Sequence, residues 1–226
     1  MIRPGAHIHN PNKRGAVDRS RGIPSVSERP IVSNQIGNAF LTTYFEEYQK
    51  LAFGPESHAA IEKLADLAAQ VRDRGGKLIF AGNGASASTS EHGAVDFTKQ
   101  GKVRSITFHD PNLITCFAND FGYDNWIAKA IEYHAGPEDA VVLISVSGTS
   151  PSVVNAARYA KSVGLPIVSF TGRKPDNPLR QLSKVAFFVP SDAYNVVECI
   201  HTIWLTAAID LLIGSSVYET RAIALP

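Results

Sequence analysis

Cysteine, net charge and long apolar runs are all scarce in this sequence, and each scarcity removes a class of protein. Only Cys116 and Cys199 are present, too few for a disulfide framework, and both sit in apolar context where a free thiol packs as a small hydrophobe. That usage fits a reducing compartment, so the cytoplasm is the expected location. The 22 basic and 21 acidic residues leave a formal net charge of +1, without the surplus of positive charge that nucleic acid or an anionic membrane surface calls for. The longest apolar stretch, 203–213, is interrupted by Thr206 and Asp210 and falls short of a bilayer span, and no signal-peptide apolar segment follows Met1. Neither nucleic acid nor a membrane is expected as a partner.

What remains is an ordinary globular composition, 44% hydrophobic and 19% charged over 226 residues, enough for one domain with a substantial core. Residues 1–32 stand apart. Pro4, Pro11, Pro24 and Pro30, several glycines and scattered Arg and Lys lack any hydrophobic period, which predicts a flexible or wrapped tail. His7 and His9 lie within it and read as solvated. The domain is expected over 33–226. Leu41, Tyr44, Phe45, Tyr48 and Leu51 repeat at helical spacing across 34–53, and Ile61, Leu64, Ala65, Ala68 and Val71 form a second stripe stopped by Gly75 and Gly76. Short apolar runs then alternate with helical segments: 77–81, 105–108, 140–144, 166–170 and 185–189. That alternation predicts an α/β fold, a doubly wound five-stranded parallel sheet preceded by two N-terminal helices. In such sheets ligands bind beyond the carboxyl ends of the strands, so the loops after Ala81 and Ile144 are the places to look.

Both loops are rich in glycine and hydroxyl groups. "FAGNGASAST" (80–89) satisfies G-x-G-x-x-A, the dinucleotide-binding form. An oxidoreductase is therefore a rival reading, but the first acid after the second strand is Asp110, 28 positions beyond Gly82, where the ribose would want one about 20 on. Ser86, Ser88, Thr89 and Ser90 could instead serve as helix caps or bind a ligand, and the turn alone does not decide. The second loop, "ISVSGTSPSVV" (144–154), places Ser145, Ser147, Thr149 and Ser150 around Gly148, with Pro151 opening the next helix. A cap needs one hydroxyl, and the surplus, with free backbone amides and a helix dipole, points to a phosphate held by neutral donors.

"GNGASA", "ANDFGYD" (118–124), "ISVSGTSPSV", "SFTGR" (169–173) and "VPSDAYNVVECIH" (189–201) occur in the order found in the sugar isomerase (SIS) domain family. The chain most resembles its sedoheptulose 7-phosphate (phosphoheptose) isomerase group, over about residues 34–213. The resemblance implies a flavodoxin-like SIS fold and a sugar phosphate gripped by Ser145, Ser147 and Ser150 with the backbone of Val146. It implies that Asn83, Ser86, Asn119 and Asp120 line the substrate, and that active sites lie between the subunits of a homotetramer. Asn119 and Asp120 could equally mark an ordinary turn.

Ketose–aldose interconversion moves a proton between C1 and C2 through an enediol and needs an acid/base for the oxygens. His92 and Asp96 stand four apart on one helix face, and Glu198 and His201 three apart on an apolar helix where ionisable groups are costly unless paired or functional. The resemblance makes Asp96, Glu198 and His201 the catalytic candidates. It makes His92, Asp96 and Glu198 the ligands of a divalent metal such as zinc, which some family members carry. Two positions depart from the family. Asp96 stands where it has Glu, and Thr206 where it has a His that serves as acid/base and metal ligand. The expected function is thus a phosphosugar aldose–ketose isomerase acting on sedoheptulose 7-phosphate or a close relative. Its rival is a non-catalytic SIS-domain sensor or protein-binding module, which Thr206 would favour. His58, His109 and His134 belong to no constellation and are expected on the surface.

Overall fold

The computed structural model describes residues 34–218, so the expected tail, with His7 and His9, lies outside the described residues. Residues 34–41 belong to a separate N-terminal unit, and the sheet domain runs from Thr42. In chain order the elements are α1 (Asn34–Ala52), α2 (Pro55–Asp73), β1 (Leu78–Gly82), α3 (Ala85–Lys99), β2 (Ser105–Thr107), α4 (Pro111–Phe121) and α5 (Trp126–His134). There follow β3 (Ala140–Ser145), α6 (Pro151–Ser162), β4 (Ile167–Gly172), α7 (Pro178–Leu182), β5 (Val185–Val189) and α8 (Tyr194–Ile213). Each apolar run read as a strand is one, within a residue or two at its ends. Pro55, Pro111, Pro151 and Pro178 each open a helix, where the missing N–H goes unneeded.

The five strands form one parallel sheet in the order β2-β1-β3-β4-β5. Every residue of β1, β3 and β4 is buried, because helices cover both faces, and the strands accordingly lack polar alternation. Leu78, Phe80, Ile144, Phe170 and Phe187 join the core cluster that holds Leu64, Phe97 and Trp204 of α2, α3 and α8. Ile79, Val141, Leu143 and Ile167 face the other way, onto Trp126 and Ile131 of α5 and Ala157 of α6. Lys77 and Asp139 form a short ion pair, and Asp139 Oδ1 also accepts from the Lys77 N–H at 2.8 Å, which fixes the amino ends of β1 and β3 together.

Helix α8 spans 20 residues, since its polar first half is helical too, and it is long and apolar enough by composition to cross a bilayer. Here α8 is a core helix: Val196, Val197, Ile200, Trp204, Leu205 and Ala208 are buried, and Trp204 Nε1 donates to Ala52 O at 2.7 Å.

The chain order reverses between β1 and β3, which are neighbours in register from Leu78 opposite Ala140 to Gly82 opposite Ile144. The two hydroxyl-rich loops therefore leave adjacent strands at the switch point of the sheet, where open α/β folds place their ligands.

Candidate active site

Asn83 and Ser86 from the first loop and Ser145, Val146, Ser147 and Ser150 from the second line a single cleft of about 80 Å³, closed on its far side by Tyr194 and Glu198 of α8. A larger groove, about 470 Å³, lies among Lys50, Leu51, Arg180, Phe188 and Trp204, but none of the candidate catalytic, substrate-binding or metal-binding residues lines it.

The hydroxyls are not used as caps. The residue before α3 is Gly84, which has no side chain to offer, and Ser150 before α6 makes no capping hydrogen bond. Ser145 Oγ instead donates to Ser150 Oγ at 3.3 Å, and Ser147 Oγ accepts from the Thr149 N–H at 3.2 Å. The loop turns at Gly148, whose φ is +63° and whose missing side chain leaves room for the Asn177 amide. Its shape is tied down by Gly148 N–H to Ser145 O at 3.0 Å and Gly172 N–H to Val146 O at 2.8 Å. The result is a set of hydroxyls, bonded within the loop and not spent as caps, at the amino end of a 12-residue helix, a setting suited to an anion. The dinucleotide reading loses its acid as well: Asp110 caps α4, its Oδ1 accepting from Asn112 N at 2.9 Å and Leu113 N at 3.2 Å.

Of the expected acid/base groups, Glu198 alone faces this cleft. It is half-buried, its carboxylate has no hydrogen bond or ion pair among the described residues, and desolvation raises its pKa above the ordinary carboxylate value. His201 does not reach the cleft. Its ring is 1% exposed, edge-on to Phe170, and Nε2 donates to Thr171 O at 3.1 Å while Nδ1 has no partner. Burial lowers its pKa to about 4, so it is a neutral core imidazole, and the catalytic role expected of it finds no support in its position. Spacing along α8 could not show that His201 sits on the sheet-facing side while Glu198 sits at the edge.

His92 Nε2 and Asp96 Oδ2 pair at 3.1 Å on the outer side of α3, with the His side chain 52% and the Asp 19% exposed. Neither lines the cleft of its own chain. Helices α3 and α8 run in the same sense, since Thr89 Oγ1 bonds Thr202 Oγ1 at 3.1 Å and Gly93 packs on Leu205. Glu198 lies one turn before that crossing point and Asp96 two turns after it, a separation of roughly 16 Å of helix rise. The expected metal set of His92, Asp96 and Glu198 therefore does not assemble within one chain, and no three His, Cys, Asp or Glu gather as a metal-binding group among the described residues. Thr206, at the position of the family His, donates to Thr202 O at 3.0 Å in its own helix. These donors do not fit a metal ion as they stand.

Asn119 and Asp120 occupy the last turn of α4 rather than a free turn, exposed and bonded to each other, Asn119 Nδ2 to Asp120 Oδ1 at 2.9 Å. Three neighbours of the site escaped the sequence reading. Tyr123 donates to Asn83 Oδ1 at 3.1 Å, and Asn83 Nδ2 donates to buried Ser152 Oγ at 3.0 Å. His109, expected on the surface, has a side chain only 6% exposed, and Nε2 donates to Gly82 O at 3.1 Å. Burial lowers the pKa of His109, against the pull of that bond and of Glu91. A signal was available for His109, which directly follows an apolar run and so stands at the ligand-bearing end of a strand.

Comparison with known proteins matches residues 43–172 to the SIS domain family model. A phosphoheptose isomerase of Fusobacterium nucleatum is 31% identical over 173 residues, covering 74% of this chain and 89% of that relative. The phosphoheptose isomerase of Cytophaga hutchinsonii is 30% identical over 197 residues, covering 82% and 99%. Among solved structures, phosphoheptose isomerase from Neisseria gonorrhoeae superposes with a TM-score of 0.68 at 24% identity, covering 79% of this chain and 97% of that one.

Proposed function

Because the chain belongs to the SIS domain family, we propose that it is an aldose–ketose isomerase acting on sedoheptulose 7-phosphate or a closely related sugar phosphate. The observation that carries this reading is the cleft at the β1/β3 switch point. It offers Ser145, Ser147 and Ser150 with hydroxyls free of capping duty, and a lone desolvated carboxyl, Glu198, across from them. The serines and the amino end of α6 hold the phosphate, with the backbone at Val146 completing the nest. Asn83 and Ser86 line the sugar, and the role of Asn119 and Asp120 rests on the family resemblance alone.

Conversion of the ketose to the aldose removes a proton from C1 and returns one to C2, while a second proton passes between O2 and O1. Glu198 suits the second transfer, because its carboxyl faces the cleft and desolvation favours its protonated form more than in an ordinary carboxylate. Asp96 is the base for the carbon-bound proton, held in place by His92. Since Asp96 is remote from the cleft of its own chain, the α3 pair of one subunit completes the cleft of another, and the working form is a homotetramer. Exposed Phe45, Val95, Ile203 and Leu211 on α1, α3 and α8 supply apolar surface for such contacts. A phosphorylated metabolite as substrate places the enzyme in the cytoplasm.

The test is incubation with sedoheptulose 7-phosphate in deuterium oxide. An aldoheptose 7-phosphate carrying deuterium at C2 is the expected product, and its absence would overturn the assignment. Asp96→Asn should lower turnover by about 10²-fold or more with unchanged thermal stability. A sensor or docking module would instead keep its biological activity in that variant.

A further inference from the structure

Asn83 is held in place by a chain of hydrogen bonds that both begins and ends on α6. At one end, Ser152 in the first turn of α6 accepts from Asn83 Nδ2 at 3.0 Å. Asn83 Oδ1 in turn accepts from the Tyr123 hydroxyl at 3.1 Å. Tyr123 follows Gly122, whose φ of +80° ends α4 and turns the chain back toward the first loop. The segment after Tyr123 returns to α6, because Asn155, one turn beyond Ser152, donates from Nδ2 to Asp124 O at 3.0 Å and Asn125 Oδ1 at 3.2 Å. Tyr123 itself is 55% exposed, so its place is set by this circuit more than by core packing.

The circuit bears on chemistry through the amide of Asn83. A side-chain amide can rotate by half a turn and exchange donor for acceptor. Tyr123 donates to Oδ1 and Ser152 accepts from Nδ2, so both ends of the amide are held and, in this orientation, the nitrogen is the end left to donate. One N–H is used on Ser152, and the second is free for the cleft that Asn83 lines. We infer that Tyr123 is a positioning residue for substrate, acting through Asn83 to present a fixed N–H donor to a sugar hydroxyl or carbonyl oxygen. This rests on the isomerase reading of the cleft and adds to it a residue that touches no substrate atom.

Tyr123→Phe removes only the hydroxyl of an exposed ring, and Asn83→Ala removes the group it acts on, so the two can be combined in a double-mutant cycle. Kinetics on sedoheptulose 7-phosphate should show kcat/KM lowered roughly five- to tenfold in Tyr123→Phe, with the thermal midpoint unchanged. In the Asn83→Ala background the same Tyr123→Phe change should cost nothing further. Competitive inhibition by inorganic phosphate, which occupies the serine loop alone, should be equal in wild type and Tyr123→Phe. Additive losses in the double variant, no loss in the single one, or weakened phosphate inhibition would each overturn the inference while leaving the isomerase assignment intact. An inactive wild-type protein would instead overturn that assignment, and the inference with it.

Discussion

At the scale of single residues, His201 and Glu198 show how three positions on a helix separate a core group from a site group. His201 is sealed between Phe170 and Trp204 and neutral, whereas Glu198 borders the cleft and stays half-solvated. The depressed pKa of His201 has a consequence for stability. An ordinary imidazole in the unfolded chain takes up a proton near 6.5, but the folded one does so only near 4. Between those values the unfolded state binds more protons, so the contribution is fully present above pH 6.5 and is lost as pH falls toward 4. The loss amounts to about 2 kcal/mol by pH 5. Denaturant unfolding should therefore show stability declining from pH 7 to pH 5, with a flatter decline in His201→Leu, measured against wild type to cancel the other titrating groups. Equal slopes in the two proteins would contradict the buried, neutral assignment. The pairing of an acid and a His on α8 was legible in the sequence. Which of the two faces the core was not, because that depends on how α8 is rotated against β4.

At the scale of elements, the amino terminus of α6 carries the strongest claim. Helix starts usually take a side-chain oxygen from the preceding residue, and Asp110 does this for α4 and Asn177 for α7. Ser150 does not, and it turns to Ser145 instead. Ser150→Ala should accordingly change stability by less than about 0.5 kcal/mol while lowering kcat/KM for the sugar phosphate by tenfold or more. Asp110→Ala should cost about 1 kcal/mol with little effect on turnover. Chemical denaturation and steady-state kinetics on the two variants separate helix capping from ligand binding, and the reverse pattern would return the serine loop to a structural role. The strands and the first helices were readable from local signals: five apolar runs, two helical stripes with Gly75 and Gly76 as a stop, and Pro151 at the start of α6. For α8 the sequence placed Val197 to Leu211 on one helix, and the structure extends it by a few residues at each end, to Tyr194–Ile213.

At the scale of the whole molecule, the cleft proposed for the phosphate carries one carboxyl, Glu198, while the His92–Asp96 pair lies on the outer side of α3. A tetramer that brings the two together should appear in light scattering as a species of about four chains. Val95→Glu on the exposed face of α3, one residue from Asp96, should yield smaller species that have lost turnover yet retain the fold by circular dichroism. A monomeric wild type with full activity would remove the intersubunit site. The sequence by itself determined the parallel sheet, the helix order, the two hydroxyl loops and the family, because periodicity, turn chemistry and motif order are local properties of the chain. The tertiary structure alone decided what those loops do together. Strand order makes β1 and β3 neighbours and so brings their loops together, the rotation of α8 buries His201 and leaves Glu198 at the cleft, and helix rise keeps Asp96 away from it. These are consequences of packing, which no spacing along the chain encodes.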